Sequence, residues 1–221
     1  MNKRVFKDKV YTELSKVAKA MSNPIRLEII DLVAQGPFTV EQIANYIGQS
    51  IANTSQHLQH LKNARLVQMS KKGNYVNYSL SSENVYHTWI SLRELGINSN
   101  AEVEKVIQDF RHGQSADLRA IDAETLKGLI DKDEVILLDV RSEEEYERGH
   151  IYKALSKPID QLPDSLHDLS TKKRVVAYCR GPFCVYADEA VALLQKNGYQ
   201  AVRLEDGYPE WALKGLPIDS L

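Results

Sequence analysis

Both cysteines of the 221-residue chain, Cys179 and Cys184, lie in one six-residue stretch, CRGPFC. An apolar run of strand length, 174–178, precedes it, and a helical stretch near 184–196 follows. A strand, a short loop and a helix in that order aim the loop's N–H groups into a cradle, and the helix N-terminus adds partial positive charge. A cysteine at Cys179 is expected to be partly thiolate near neutral pH, with Arg180 beside it as support. Gly181 permits the tight backbone. This is the environment a nucleophilic sulfur needs. Cys184, five residues on, has two readings: a resolving thiol that traps the product as a disulfide, or a small buried hydrophobe on the helix's first turn.

A second group of chemistry-bearing residues lies between 50 and 72. Thr54, Leu58 and Leu61 form an inner stripe, and Ser50, Asn53, Ser55, Gln56, His57, Gln59 and His60 occupy the other positions. Short hydroxyl and amide side chains hydrogen-bond base edges in a major groove without filling it. Lys62 and Arg65 at the far end, with Lys71 and Lys72 at a hairpin tip, are placed to meet phosphates. The same surface also suits a protein–protein module or a solvated helix face.

The elements that must hold these groups read as follows. Phe6, Val10, Leu14, Val17 and Met21 recur at helical steps, and Asn23-Pro24 interrupts them. Ile25, Ile29, Leu32 and Val33 give a second helix; Thr39 and Gln42 have capping-box spacing for a third, which Gly48 ends. Ser50 caps the helix just described. A hairpin with a turn at 72–74 and a helix over 83–95 come next, and Val103, Val106, Ile107 and Phe110 mark one more amphipathic helix. The polar stretch 112–115 is the expected domain boundary. Beyond it, apolar runs at 135–139, 174–178 and 201–204 alternate with helical stretches near 123–130, 143–148, 160–169 and 184–196, which argues an α/β domain with a mainly parallel sheet. The domains are therefore 1–98, a linker helix at 99–115, and 116–221.

Composition agrees with two globular domains. Hydrophobic residues are 43% and charged residues 26%, and the net charge of −2 hides an excess of +5 over residues 1–100 and −7 over the remainder. Any polyanion partner is expected in the first half, and the same asymmetry also fits chance scatter on two solvated surfaces. No run approaches the roughly 18 apolar residues of a membrane span. The basic N-terminus leads into no apolar stretch, so a secretory leader and a membrane partner are not expected. Two cysteines cannot build a disulfide scaffold, and a reducing, cytoplasmic setting is expected.

The segments SNPIRLEIIDLVA, FTVEQIANYIGQSIANTSQHLQHLKNARLV and MSKKGNYVNYSL resemble the ArsR family of bacterial winged helix-turn-helix repressors over roughly residues 12–95. The resemblance implies a homodimer built on the first and last helices, double-stranded operator DNA as partner, and release of DNA when a ligand binds. Metal-sensing members carry a Cys-x-Cys pair in the helix before the recognition helix; TVEQIANYIG has none. Glu83 and His87 share a helix face, as half of a bridging site or as plain surface. No metal and no cofactor are expected.

LLDVRSEEEYERGHIYKA, the CRGPFC loop and LEDGYPEW together resemble the rhodanese family of sulfurtransferases over roughly residues 117–217. The resemblance implies that Cys179 takes sulfane sulfur from a small donor such as thiosulfate as a persulfide and passes it on. It makes Asp139 and His150 mainly structural. Arg141 either orients an anionic donor or forms a surface ion pair with Glu143–Glu145. Phosphatases and arsenate reductases of this fold use Cys-x5-Arg, whose Arg grips an oxyanion; Val185 stands where that Arg would be, so phosphoryl and arsenate chemistry are not expected. The whole chain reads as a DNA-binding regulator, a repressor, whose rhodanese domain responds to reactive sulfur or oxidants. The alternative is a sulfurtransferase enzyme whose DNA-binding half only represses its own operon.

Overall fold

A computed structural model describes residues 1–112 and 118–220, with the side chains of Lys72 and His112 outside the description. The chain divides into two compact units, Met1–Ser99 and Asn100–Leu221. Of the expected boundary at 112–115, residues 113–115 lie outside the described residues, and the helix assigned to the linker groups with the second unit.

The first unit runs α1 (Lys3–Met21), α2 (Pro24–Val33), β1 (Phe38–Thr39), α3 (Val40–Tyr46), α4 (Ile51–Asn63), β2 (Val67–Lys72), β3 (Tyr75–Leu80) and α5 (Glu83–Ser99). Local chemistry sets the boundaries. Asn23 caps α2 with Pro24 in its first turn, Thr39 and Gln42 close a reciprocal capping box on α3, and Ser50 caps α4. Gly48 and Gly73 each adopt φ of +62°, which glycine takes without a Cβ penalty. β2 and β3 pair antiparallel from Val67↔Leu80 to Lys72↔Tyr75, and β1 joins the outer edge of β3, giving the wing. Ile29, Ile30, Ile43, Leu58 and Leu61 are fully buried, each contributing about 1.5–3 kcal/mol of hydrophobic stabilisation. Trp89 Nε1 donates to Asp31 at 2.6 Å, tying α5 to α2.

One expectation for this unit changes. α5 continues through Gly96 to Ser99 rather than ending at Leu95; one glycine costs a helix only about 1 kcal/mol relative to Ala, so it does not force a stop. The apolar stripe of α1 does not enter the core of the chain: Phe6, Val10, Leu14 and Val17 are exposed, and only Ala20 and Met21 are buried.

The second unit contains α6 (Ala101–His112), β4 (Ala120–Ile121), α7 (Ala123–Asp131), β5 (Val135–Asp139), α8 (Glu143–Arg148), β6 (His150–Ile151), β7 (Leu155–Ser156), α9 (Leu162–Ser165), β8 (Arg174–Tyr178), α10 (Tyr186–Lys196), β9 (Ala201–Leu204), α11 (Tyr208–Leu213) and β10 (Ile218–Asp219). Its five-stranded sheet has the order β4-β9-β8-β5-β7, with all pairings parallel. One core cluster packs Val175, Ala177 and Cys179 against Ala187, Ala190, Val191 and Leu194 of α10. A second packs Leu137, Val176 and Tyr178 against Leu126 and Ile130 of α7 and Trp211 of α11. The alternation along β8 thus divides its residues between two covered faces, as in a parallel sheet with helices on both sides. The two-stranded β6–β10 ribbon stands apart from it.

Candidate functional site

The reactive loop starts where β8 stops. Cys179 follows Tyr178 and is 2% exposed, whereas Cys184 is partly exposed. The loop curls so that Cys184 N–H donates to Gly181 O at 3.0 Å and Cys179 Sγ donates to Cys184 O at 3.4 Å. A second loop supports it: Tyr208 N–H donates to Cys179 O at 3.1 Å. The approach is possible because residue 207 is glycine. A Cβ there would stand 2.3 Å from the Arg180 carbonyl carbon and 2.4 Å from Gly181 N.

The two thiols titrate as a pair. Burial pushes Cys179 well up, the adjoining Cys184 thiol adds to this, and the N–H groups of Ala187 and Gly181 oppose it. Cys184 moves down, chiefly because the Cys179 thiol hydrogen-bonds to it, aided by the Arg180 and Tyr186 N–H groups and the Arg180 charge, while burial opposes. Burial thus works against the thiolate expected at Cys179, and the Arg180 charge acts on Cys184.

Arg180 is committed elsewhere. Its Nε and Nη2 donate to the two carboxylate oxygens of Glu145, both at 2.7 Å. Glu145 is the fourth member of a capping box with Ser142 at the start of α8 and is 1% exposed. Burial raises its carboxyl, and the Arg180 hydrogen bonds and charge more than reverse this, leaving it below the ordinary range. For Arg141 the surface ion-pair expectation is corrected. It is fully buried, donates through Nε and Nη2 to Asp139 at 2.6–3.2 Å and through Nη2 to Gly149 O at 2.7 Å, and lies 4.4 Å from the Tyr208 ring centroid. It is a core strut between β5 and the segment before β6, not a surface ion pair. His150 stacks on Tyr146 at 3.7 Å and its Nδ1 is 2.8 Å from Tyr146 O, a packing role.

Three charged residues beside the loop escaped sequence reasoning. Arg203 of β9 pairs in register with Ala177, so it shares the sheet face of Ala177 and, by alternation, of Cys179. Its Nε lies 3.2 Å from Asp188 Oδ1 in the first turn of α10. Arg111 of α6 is 3.9 Å from the other oxygen of Asp188 and donates to Pro182 O in the loop at 3.1 Å. An arginine alternating inward within the apolar run AVRL was the available signal. Arg111 had none, being one charge among several on α6.

In the first unit, Ser55, Gln56, Gln59, His60 and Lys62 are exposed on α4, and Lys71 is exposed on the wing. Ser50 instead uses its hydroxyl to accept from Asn53 N, and Asn53 donates its side-chain amide to Gln49 at 2.8 Å. His57 is half-buried, and burial followed by the nearby Arg26 and His60 lowers its pKa. The Lys72 side chain lies outside the described residues. Glu83 and His87 are both exposed on α5. Among the described residues no group of three or more His, Cys, Asp or Glu could hold a metal ion, and no helix is long and apolar enough to cross a membrane.

The fold and the loop define a winged helix-turn-helix unit followed by a rhodanese-like unit. Residues 23–69 match the bacterial regulatory protein, arsR family, and residues 122–214 match the rhodanese-like domain. The HTH-type transcriptional regulator Rv0324 of Mycobacterium tuberculosis is 38% identical over 207 residues, covering 94% of this chain and 90% of its own. A sulfurtransferase of Allochromatium vinosum is 36% identical over 100 residues, 44% of this chain and 92% of its own. The homodimeric winged helix-turn-helix domain of Mb0332 from Mycobacterium bovis is 30% identical with a TM-score of 0.42, covering 45% of this chain and 91% of that one. The chain belongs to the family of ArsR-type helix-turn-helix regulators that carry a C-terminal rhodanese domain.

Proposed function

We propose that the protein is a homodimeric repressor that binds operator DNA through α4 and the wing, and that sulfane sulfur loaded on Cys179 changes its affinity for that DNA. The observation that carries the reading is the pairing of the chain's two thiols in one loop, with Cys179 Sγ donating to Cys184 O. The exposed amide and hydroxyl face of α4 supports DNA contact. The exposed apolar stripe of α1, with Leu92 and Leu95 exposed on α5, supports a dimer formed through those helices.

The chemistry needs no external oxidant. A thiolate at Cys179 attacks the outer sulfur of a persulfide or thiosulfate donor, the donor's S–S bond breaks, and the donor leaves as thiolate or sulfite. Cys184 thiolate can then attack the Cys179 sulfur of the persulfide, forming the Cys179–Cys184 disulfide and expelling hydrosulfide. Incubation with a sulfane donor, followed by the mass of the peptide holding both cysteines, tests this. A gain of one sulfur, or a loss of two hydrogens after resolution, is expected; an unchanged peptide contradicts the reading.

Similarity to a sulfurtransferase over nearly all of that protein's length favours a second reading, in which turnover is the main role. Multiple turnovers to a thiol acceptor, with DNA affinity indifferent to sulfur loading, would select it.

A further inference from the structure

A groove of about 550 Å³ runs along the reactive loop of the second unit. Val103, Val106, Ile107 and Phe110 of α6 form one wall, and Pro182, Phe183 and Val185 of the loop form the other. Val106 is 66% exposed, and Phe110 and Phe183 are above 40%, a large apolar commitment for residues facing water. The loop wall brackets Cys184 in sequence, so whatever fills the groove lies against the thiol-bearing turn.

The polar groups at the groove argue against an inorganic anion. Glu102, Arg111 and Asp188 line it, two carboxylates against one guanidinium. Asp188 is 3% exposed, and its Oδ1 has no hydrogen-bond partner although Arg203 Nε is 3.2 Å away. Arg111 already serves Pro182 O and faces Asp188. The two arginines nearest the loop in sequence and motif, Arg180 and Arg141, are held by Glu145 and Asp139. For a dianion such as thiosulfate the two carboxylates lining the groove outnumber its one guanidinium, whereas an apolar body is well matched. Small-molecule sites are commonly clefts of about 300–1,000 Å³ with mostly apolar walls and few polar groups.

We propose that this groove binds the carbon portion of the sulfur donor, and that the donor is an apolar organic hydropersulfide, R–S–SH, with R an alkyl chain or a single aromatic ring. The inference rests on the reading that Cys179 accepts sulfane sulfur, and names the donor class. The Cys179 thiolate attacks the terminal sulfur of R–S–SH, the donor's S–S bond breaks, and R–S⁻ departs and is protonated to the thiol. The protein retains Cys179–S–SH, so sulfur, hydrogen and charge balance without a further reactant. Held by its carbon end along α6, the donor presents its sulfur to the loop, which converts an encounter into a positioned reaction.

The test is the second-order rate of sulfur loading of the full-length protein by ethyl, butyl and octyl hydropersulfides, thiosulfate and inorganic polysulfide, read by mass. The wild type is expected to react faster as the chain lengthens, about threefold per added methylene until the groove is full. Val106→Asp and Phe110→Ala are expected to lower the octyl rate at least tenfold, leaving the polysulfide rate within twofold of wild type. A rate independent of chain length in the wild type overturns the proposal, as does length dependence that survives in both variants. If the variants instead yield smaller species in sedimentation, the groove is a contact between copies of the chain and the donor assignment fails. Absence of loading by every donor rejects the underlying persulfide reading itself, an outcome distinct from loading that ignores the carbon chain.

Discussion

Arg180 and Glu145 meet in a two-pronged ion pair, Nε to Oε1 and Nη2 to Oε2 at 2.7 Å each, with Glu145 buried and Arg180 nearly so. The residue next to the reactive cysteine is thereby fastened to α8. The pair makes Arg180 a structural strut whose charge also helps to lower the Cys184 thiol.

Replacing Glu145 by Gln should therefore destabilise the rhodanese-like unit by about 3 kcal/mol at pH 7, the usual order for stranding one member of a buried pair. Glu145 sits below its ordinary value of 4.5, so its contribution is full above that value and fades as pH falls through the lower folded-state value. Urea midpoints for wild type and Glu145→Gln should differ clearly at pH 7 and converge in acid. Equal midpoints at neutral pH would contradict the strut.

Gly207→Ala places a methyl 2.3–2.4 Å from the backbone of Arg180 and Gly181, where no flexible side chain can give way. Displacement of the loop should cost about 1–3 kcal/mol in stability and slow thiol alkylation severalfold. Wild-type stability together with wild-type thiol reactivity would show that the close approach does not matter.

The thiol pair makes a signed prediction. With Cys184 lowered and Cys179 raised, iodoacetamide at neutral pH should label Cys184 first, as fragment masses will show. Cys179→Ala removes the thiol hydrogen bond, the largest cause lowering Cys184, so the pH midpoint of Cys184 alkylation should rise. Faster labelling of Cys179 in the wild type would contradict the arrangement.

Much of this was legible beforehand. The three long strands of the second unit and their helices follow from apolar runs bounded by turn residues, and β5 and β8 run over 135–139 and 174–178 as expected. The caps at Thr39 and Ser50 were readable because a cap is a local event. The two-residue strands β4, β6, β7 and β10 carry no periodicity and exist only through their partners. The site was legible to the level of the loop and no further. That Arg180 serves Glu145, 35 residues away, and that Arg203 and Arg111 converge on Asp188 are tertiary facts with no counterpart in local spacing. Arg141 misled because its place beside Glu143–Glu145 suggests a surface ion pair, whereas Asp139, two residues earlier, folds it inward.

On α4, Gln56, Gln59 and Lys62 are exposed, and under the proposed function the glutamines meet base edges and Lys62 a phosphate. Gln56→Ala should cost about 1–3 kcal/mol at the specific operator and little on random DNA. Lys62→Ala and Lys71→Ala should weaken both equally and each reduce the salt slope by about one. Loss of specific binding in the lysine variants with an unchanged slope would contradict the phosphate assignment.

The central claim is that sulfur on Cys179 alters DNA affinity. Its most direct test is titration of the dimer onto its own upstream DNA at fixed salt, before and after loading with a sulfane donor, with the mass of the Cys179–Cys184 peptide followed in the same samples. The account predicts an affinity that falls in step with added sulfur and does not fall in Cys179→Ser. A peptide that gains sulfur while affinity stays flat would contradict it.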